Sequence, residues 1–395
     1  ELVANAQLKK GDILAEQGHV DEALAAYAVV PERYEVETRL VQAAYIRQAE
    51  LIHKERGTEA AIVAYKGAIE DVDDKVFQAQ AQLTLASLLF DEARFAEAGA
   101  EYGIYVLAYS NVAARVGFRL DKALFRIGQC HQAHGQQIRG DDSEASNNSF
   151  KQALEQYRVM VADHEQSSLV PDALFGIGIS SQGLDDREAA RAAYEELLER
   201  FPEDAIAPRA WAQLARMHYE EGNLEQARDI YQSVLESDGD AQQRNSINME
   251  LGITQRRLGD TAAAIEAFGA VDPSFPHWSK TQIELAQLYT SVGKGDRAQQ
   301  VLDLTLAKNA GGELSGRLHH MKGKLLYDER HFSPAIEEFG MSLSLAQDAD
   351  ILGSSLFSRG ACYYELARTQ DDAGDTSVAR TSYEASMEDM QALLQ

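Results

Sequence analysis

The feature of this sequence that most constrains its fold is a pattern of apolar and small residues that occurs twice between positions 171 and 239. Each residue of the second copy lies 37 positions after its equivalent in the first. In each copy the apolar residues recur three and four positions apart, the spacing typical of a helix with one buried face. A short polar break, at 183–185 and again at 221–223, divides each copy into two helices. The pattern therefore predicts a helical hairpin.

Small residues stand where the two helices of a hairpin are expected to approach each other. They are Gly178 or Ala215 on the first helix and Ala190 or Ala227 on the second, and a tyrosine follows four positions after each alanine. A larger residue at such a contact overpacks it, at a cost of roughly 1–3 kcal/mol. We expect the tyrosine to fill the wedge toward the next hairpin. This pattern resembles the tetratricopeptide repeat (TPR) family, and such internal repeats determine the whole fold.

The same positions can be followed along the whole chain. The second-helix alanine and the large residue four positions later form ten pairs, and seven of the nine spacings between pairs lie between 34 and 38 residues. The pairs are Ala23/Tyr27, Ala61/Tyr65, Ala98/Tyr102, Ala153/Tyr157, Ala190/Tyr194, Ala227/Tyr231, Ala264/Phe268, Ala298/Leu302, Ala335/Phe339 and Ala379/Tyr383. The first-helix small residues follow in step at Gly11, Ala49, Ala86, Gly128, Gly178, Ala215, Gly252, Ala286, Gly323 and Gly360.

The resemblance implies an all-α fold, a right-handed α-solenoid of about ten stacked helix-turn-helix repeats. It also implies that first helices line a concave face and second helices a convex face. We expect one continuous solenoid over residues 1–395, because each repeat stacks on its neighbours. The expected repeats are approximately 4–40, 41–77, 78–115, 116–168, 169–206, 207–243, 244–277, 278–314, 315–351 and 352–395.

Two polar stretches account for the long spacings. Residues 140–149 and 369–377 lack apolar anchors and fall between the two helices of the fourth and tenth hairpins. Polar segments without anchors are typical of projecting loops. We therefore predict mobile loops at both places.

The charge balance excludes some classes of partner. The chain has 37 Lys and Arg against 63 Asp and Glu, a net charge of −26. Nucleic acids and anionic membrane surfaces select basic proteins, so we expect neither as a partner. No apolar run reaches the 18 or so residues that a membrane span needs. Because the sequence begins at Glu1, we expect an upstream signal peptide, lipoprotein leader or tag.

Several local patterns suggest chemistry, but each has a simpler interpretation. Cys130, His131 and His134 are capable of binding metal, yet neighbours on a helix point about 100° apart and no acidic or cysteine pair stands nearby. The glycines at 176–183 and 291–295 lack the spacing of a phosphate loop. We do not expect a disulfide between Cys130 and Cys362, which lie far apart in a repeat array. The sequence predicts no enzyme activity, no cofactor and no metal site.

A partner-binding surface is predicted on the first helices. The sixth and ninth repeats carry the same pattern of two cations and a tyrosine, and comparable cations occur between them. By the resemblance these residues line the concave groove, where an acidic protein segment would bind. The alternative is that the cations offset nearby acids such as Glu220, Glu250 and Glu284. The predicted partner-binding residues are Arg209, Arg216, Tyr219, Arg256, Lys280, Arg317, Lys324 and Tyr327.

The sequence thus predicts a non-catalytic scaffold or adaptor that binds other proteins or peptide segments. The alternative is a structural subunit of a large bacterial envelope assembly. The stretch from Leu198 to Trp211 looks like repeats of bacterial cell-envelope proteins, which favours the periplasm or an outer-membrane-associated location over the cytoplasm. Neither membrane insertion nor nucleic-acid binding is expected, and the oligomeric state stays open.

Overall fold

The computed structural model describes residues 1–236, 240–309 and 313–394, and the regular elements in these residues are all helical. A 3₁₀ turn at Ser110–Val112 precedes the short α7. The helices are α1 (Leu2–Glu16), α2 (Val20–Arg33), α3 (Thr38–Arg56), α4 (Thr58–Asp71), α5 (Lys75–Asp91), α6 (Phe95–Tyr109), α7 (Ala113–Val116), α8 (Leu120–Ile138), α9 (Ser143–Asp163), α10 (Val170–Gly183), α11 (Arg187–Arg200), α12 (Ala207–Glu221), α13 (Leu224–Glu236), α14 (Ala241–Leu258), α15 (Thr261–Gly269), α16 (Trp278–Ser291), α17 (Gly295–Lys308), α18 (Glu313–Asp328), α19 (Phe332–Leu345), α20 (Ala349–Asp372) and α21 (Thr376–Leu393).

Apart from α7, the helices form stacked pairs, which confirms the all-α fold of about ten helical repeats. The pairs run from α1/α2 to α5/α6 and then from α8/α9 to α20/α21. The chain divides into two compact units, residues 1–210 and 211–395. The single continuous domain and the right-handed superhelix stay predictions.

The predicted register coincides with the buried core. All ten second-helix alanines have no exposed surface, from Ala23 in the first repeat to Ala379 in the last. The large residue four positions later is at most 3% exposed in nine repeats, and only Tyr383 in the tenth is half-buried. All ten first-helix small residues are buried as well. The repeats therefore share one arrangement of core contacts.

Tyr157 shows how the large residue holds two repeats together. A Cβ atom added to Gly128, on the first helix of the same hairpin, would lie 2.6 Å from Cε1 of this ring. A Cβ atom added to Gly176, on the first helix of the next hairpin, would lie 2.6 Å from Cε2. The Tyr157 hydroxyl donates to the side-chain carbonyl of Gln132 at 3.2 Å, so its polar end is satisfied. The ring thus fills the space between two successive first helices, as the wedge prediction requires.

The prediction of a mobile loop at 140–149 is wrong, because α9 begins at Ser143. Asp142 caps this helix and accepts a hydrogen bond from the backbone N–H of Ala145 at 2.9 Å. The Ser146 hydroxyl is buried and donates to the Gly135 carbonyl of α8 at 2.7 Å. A serine that bonds a facing carbonyl allows two helices to approach as closely as an alanine does. The polar stretch is therefore the first turns of a long second helix.

The loop prediction at 369–377 is also wrong. Helix α20 continues to Asp372 and α21 begins at Thr376, so three residues form the connection. Gly374 has a φ of 88°, a left-handed conformation that glycine adopts without strain. The Ser382 hydroxyl donates to the side-chain carbonyl of Gln370 at 2.9 Å and ties the two helices beside this turn. The extra residues lengthen the helices.

The contact between Gly128 and Tyr157 gives the first testable prediction. Gly128→Ala places a methyl group in space that the Tyr157 ring occupies, so we expect the free energy of unfolding to fall by roughly 1–3 kcal/mol. Gly140→Ala is the matched control, because a Cβ atom there meets no other atom within 4 Å. Urea unfolding monitored by circular dichroism measures both variants. Equal stability of the two variants would contradict this account of the repeat contact.

Candidate functional site

Seven of the eight predicted partner-binding residues lie in the second unit, and we call these seven the first-helix surface. Arg209 lies in the first unit, where its guanidinium stacks 4.7 Å from the ring centroid of Phe175. The five cations of the first-helix surface are exposed, and its two tyrosines are half-buried. The first-helix surface consists of Arg216 and Tyr219 on α12, Arg256 on α14, Lys280 on α16, and Arg317, Lys324 and Tyr327 on α18.

Two of these cations are engaged by acidic residues of the same unit. The Arg216 Nε atom lies 3.3 Å from a carboxylate oxygen of Glu220, one turn further along α12. Arg256 forms an ion pair with Glu284, on the next first helix. At Arg216 and Arg256, the structure therefore supports the predicted alternative, in which the cations offset nearby acids.

Glu250 adds a further acid beside Arg216. Burial raises the pKa of this half-buried carboxyl group, the Arg216 charge opposes that rise, and the Glu220 charge adds to it. A partly desolvated carboxyl between a cation and another acid is a costly arrangement. The acids Glu220 and Glu250 thus surround Arg216 and weaken its attraction for an external carboxylate.

The sequence reasoning missed Arg257 as a neighbour of Tyr219. Its guanidinium lies 5.0 Å from the ring centroid of Tyr219, and its Nη1 donates to the Tyr219 carbonyl at 3.3 Å. A cation over a tyrosine face is a favourable contact of about 0.5–1 kcal/mol at an exposed site. The only sequence signal was the pair of adjacent arginines at 256 and 257. Tyr219 is therefore covered by a cation of its own chain.

The other three cations of the first-helix surface differ from Arg216 and Arg256. In the part of the chain that the structure describes, no acidic side chain forms an ion pair with Lys280, Arg317 or Lys324. Lys280 and Arg317 occupy the same register position on successive first helices, six residues before the small residue. Arg317 also lines a cavity of about 220 Å³ beside Leu314 and Ile351. Within the first-helix surface, the cations without an acidic partner among the described residues therefore belong to α16 and α18.

Tyr327 lies one turn after Lys324 on α18. Its ring packs 5.8 Å from the ring of Phe332 on α19, and burial raises the pKa of its hydroxyl, with Glu365 adding to the rise. This contact fixes the ring while part of it remains accessible. A tyrosine held in this way presents apolar area and a hydroxyl at little entropic cost to a partner.

The ninth repeat also contains a charged network that involves its first helix. Lys322 lies 2.8 Å from a carboxylate oxygen of Glu338 and 2.8 Å from one of Asp303, and His319 Nδ1 lies 2.6 Å from Glu338. Burial lowers the pKa of Lys322, but the two carboxylates raise it by more, so the pKa is raised overall. The network joins α17, α18 and α19.

The residues considered for metal or phosphate chemistry have structural roles. Cys130 and Cys362 are buried free thiols, and burial raises the pKa of each to about 12, so the packing interpretation is confirmed. Burial, together with the nearby His134, lowers the pKa of His131. Gly178 lies inside α10 and faces the ring of Tyr194 on α11. Among the described residues, no group of three or more His, Cys, Asp or Glu side chains is arranged to hold a metal ion.

Two segments of the chain match family models. Residues 183–246 and residues 5–35 each match a tetratricopeptide repeat model. These two segments are tetratricopeptide repeats. A comparison with curated proteins found no match. Within the described ranges, none of the helices of this TPR-containing chain combines the length and apolar character that a membrane span needs.

Solved TPR structures resemble the chain in fold. The C-terminal part of a TPR repeat-containing protein from Cytophaga hutchinsonii is 12% identical, covers 69% of this chain and 98% of its own, and has a TM-score of 0.51. A TPR protein from Parabacteroides merdae is 13% identical, with 80% and 98% covered and a TM-score of 0.37. Yeast Tom70 is 14% identical, with 99% and 90% covered and a TM-score of 0.40. The likeness to the Cytophaga hutchinsonii structure is a likeness of fold.

The environment of Glu250 predicts a pH dependence of stability. Because its pKa is raised in the folded state, the stability linked to its protonation is present below the unfolded pKa and is lost as the pH rises through the folded pKa. Glu250→Gln is therefore expected to stabilise the protein at pH 7 and to have no effect below about pH 4. Thermal unfolding of both proteins across this range measures the difference. Glu266→Gln, on an exposed position of α15, is the control, and an equal effect of both changes would contradict the prediction.

Proposed function

We propose that this protein is a non-catalytic scaffold that binds an acidic segment of another protein through the first-helix surface of its second unit. The observation that carries the proposal is the set of three exposed cations without an acidic partner among the described residues of α16 and α18, next to a half-buried tyrosine. Tetratricopeptide repeats are typically protein-interaction scaffolds, and the two repeat matches support this class of function.

Charge supports an acidic ligand at this surface. In a chain of net charge −26, exposed cations that are not offset locally stand out from their surroundings. Complementary charge accelerates encounter and selects the partner, and an aromatic anchor adds contact energy. Lys280, Arg317 and Lys324 would attract the carboxylates, and Tyr327 would contact an apolar part of the segment. Arg216 and Arg256 would contribute less, because Glu220 and Glu284 already engage them.

Two of the sequence-based expectations remain predictions. The bacterial envelope location has no support from the family matches or from the similar structures. A role as a permanent subunit of a large assembly is the alternative, and no particular contact on the described surface favours it. Both expectations are separate from the acidic-ligand proposal, which concerns only the chemistry of the first-helix surface.

The test uses fluorescein-labelled twelve-residue peptides with a glutamate-rich sequence and one central leucine, titrated by fluorescence anisotropy. Wild-type protein is expected to bind with an affinity that falls as salt rises, because exposed charges are screened. The double variant Lys280→Glu with Lys324→Glu is expected to lose this binding by at least about tenfold, since charge-assisted contacts contribute about 1.5–3 kcal/mol and 1.4 kcal/mol corresponds to tenfold.

The matched control is Lys10→Glu with Lys151→Glu, two exposed lysines of the first unit, which changes the net charge by the same amount. This control is expected to bind the peptides almost as wild type does. An affinity and a salt dependence that are equal in wild type and in the α16/α18 double variant would reject the proposed surface.

A further inference from the structure

A second candidate surface lies in the first unit, on the side formed by second helices. A groove of about 410 Å³ runs between α9 and α11. Leu174 and Ile177 of the intervening α10 form its floor, and both are buried. The alanines that α11 presents to the groove leave it open, while an exposed arginine of α9 lines it. The residues that matter here are Arg158, Leu174, Ile177, Ala189, Ala192 and Ala193.

The equivalent position between α4 and α6 is filled. Counted from the large residue of each repeat, Lys66 corresponds to Arg158 and Glu101 to Ala193. The Lys66 ammonium lies 3.0 Å from a carboxylate oxygen of Glu101, and Gln82, which corresponds to Leu174, donates to the same carboxylate. Glu101 is buried by these contacts. In that pair of repeats, the cation on one second helix is satisfied by an acid on the next.

The equivalent position between α17 and α19 is also closed by charge. There Asp303 corresponds to Arg158, His319 to Leu174 and Glu338 to Ala193. Lys322 bridges Asp303 and Glu338, and His319 contacts Glu338. Two separate repeat interfaces thus close this register position with a charged pair or network, whereas the interface between α9 and α11 leaves it open.

Arg158 is therefore a cation that lacks the acidic partner that Lys66 has at the corresponding position. In the described part of the chain it forms no ion pair, and Ala193 stands where the equivalent repeat has a glutamate. The acids on the rim are Glu196 and Glu165. Glu196 is held by Arg200, whose guanidinium also stacks on Phe201, and Glu165 lies beyond the end of α9. The groove thus combines an apolar floor with an available guanidinium.

We propose that this groove binds a helical segment of a partner protein, which inserts an aliphatic side chain onto Leu174 and Ile177 and directs a carboxylate to Arg158. A helix presents two such side chains on one face when they are three or four positions apart, and helix-in-groove recognition uses this spacing. The partner's carboxylate would take the place that Glu101 takes beside Lys66. This surface is independent of the first-helix surface in the second unit.

The probe is an acetylated and amidated helical peptide that carries one leucine and one glutamate four positions later, in an alanine and glutamine background with a fluorescein label. Arg158→Gln is expected to weaken binding by about tenfold, and replacing the peptide glutamate by glutamine is expected to weaken it equally. Combining the two changes is expected to add little, because they remove the same contact. Ala193→Glu recreates the Lys66–Glu101 pairing within the chain and is expected to abolish binding.

Two controls establish that the peptide binds in this groove. Lys151→Gln, an exposed lysine two turns earlier on α9, is expected to leave the affinity unchanged. The α16/α18 double variant is also expected to bind this peptide normally, so failure of this proposal is distinguishable from failure of the proposed function. Circular dichroism of each variant is expected to match wild type.

Several results would overturn the proposal. These are no binding of the leucine–glutamate peptide, equal binding of its glutamine version, or an Arg158→Gln variant with wild-type affinity. Self-association of the protein that Ala193→Glu removes would assign the groove to a second copy of the chain and would also overturn it. Analytical ultracentrifugation of the wild type and of Ala193→Glu without peptide measures this outcome.

Discussion

The structure depends on one contact, in which a large side chain from the second helix of a hairpin lies against a small residue of the first helix of that hairpin. At Tyr157 the ring lies against Gly128 of its own hairpin and also against Gly176 of the next first helix, so that it joins two repeats. A hairpin alone leaves one face of this ring in water, and only the next hairpin buries it. Stacking is therefore the step that removes the apolar area from solvent, as expected for repeat proteins whose stability comes from nearest-neighbour interfaces.

Because few positions carry this contact, the neighbouring positions are free to differ between repeats. One residue after the large residue, three of the repeats have Lys66, Arg158 and Asp303, and the corresponding residues on the next second helix are Glu101, Ala193 and Glu338. An ion pair closes this position between Lys66 and Glu101, Lys322 bridges Asp303 and Glu338, and alanine leaves the position open beside Arg158. The same freedom applies to the exposed side of the first helices. The repeat contact thus supports surfaces whose chemistry can change without disturbing the core.

The core could be predicted from the sequence because size alone identifies it. An alanine or glycine at a fixed distance from a large residue has one physical interpretation, and the burial of Ala227 or Gly252 follows from it. The loop prediction at 140–149 is wrong because a run of polar residues such as serine is also compatible with a helix. The Ser146 hydroxyl donates to a carbonyl of the facing helix inside a helix contact. Glu284 is among the acids that the sequence offers to the cations of the first-helix surface, but its pairing with Arg256 in particular depends on the distance between helices, which spacing along the chain does not provide.

Hydrogen–deuterium exchange of Tyr157→Ala tests this account most directly. If the ring joins two repeats, its removal will lower amide protection in α8 of its own hairpin and in α10 of the next hairpin together. Truncation of a buried aromatic costs about 3–5 kcal/mol, which is enough to measure in both helices. A loss of protection confined to α8 and α9, with α10 unchanged, would contradict the claim that this contact holds successive repeats together.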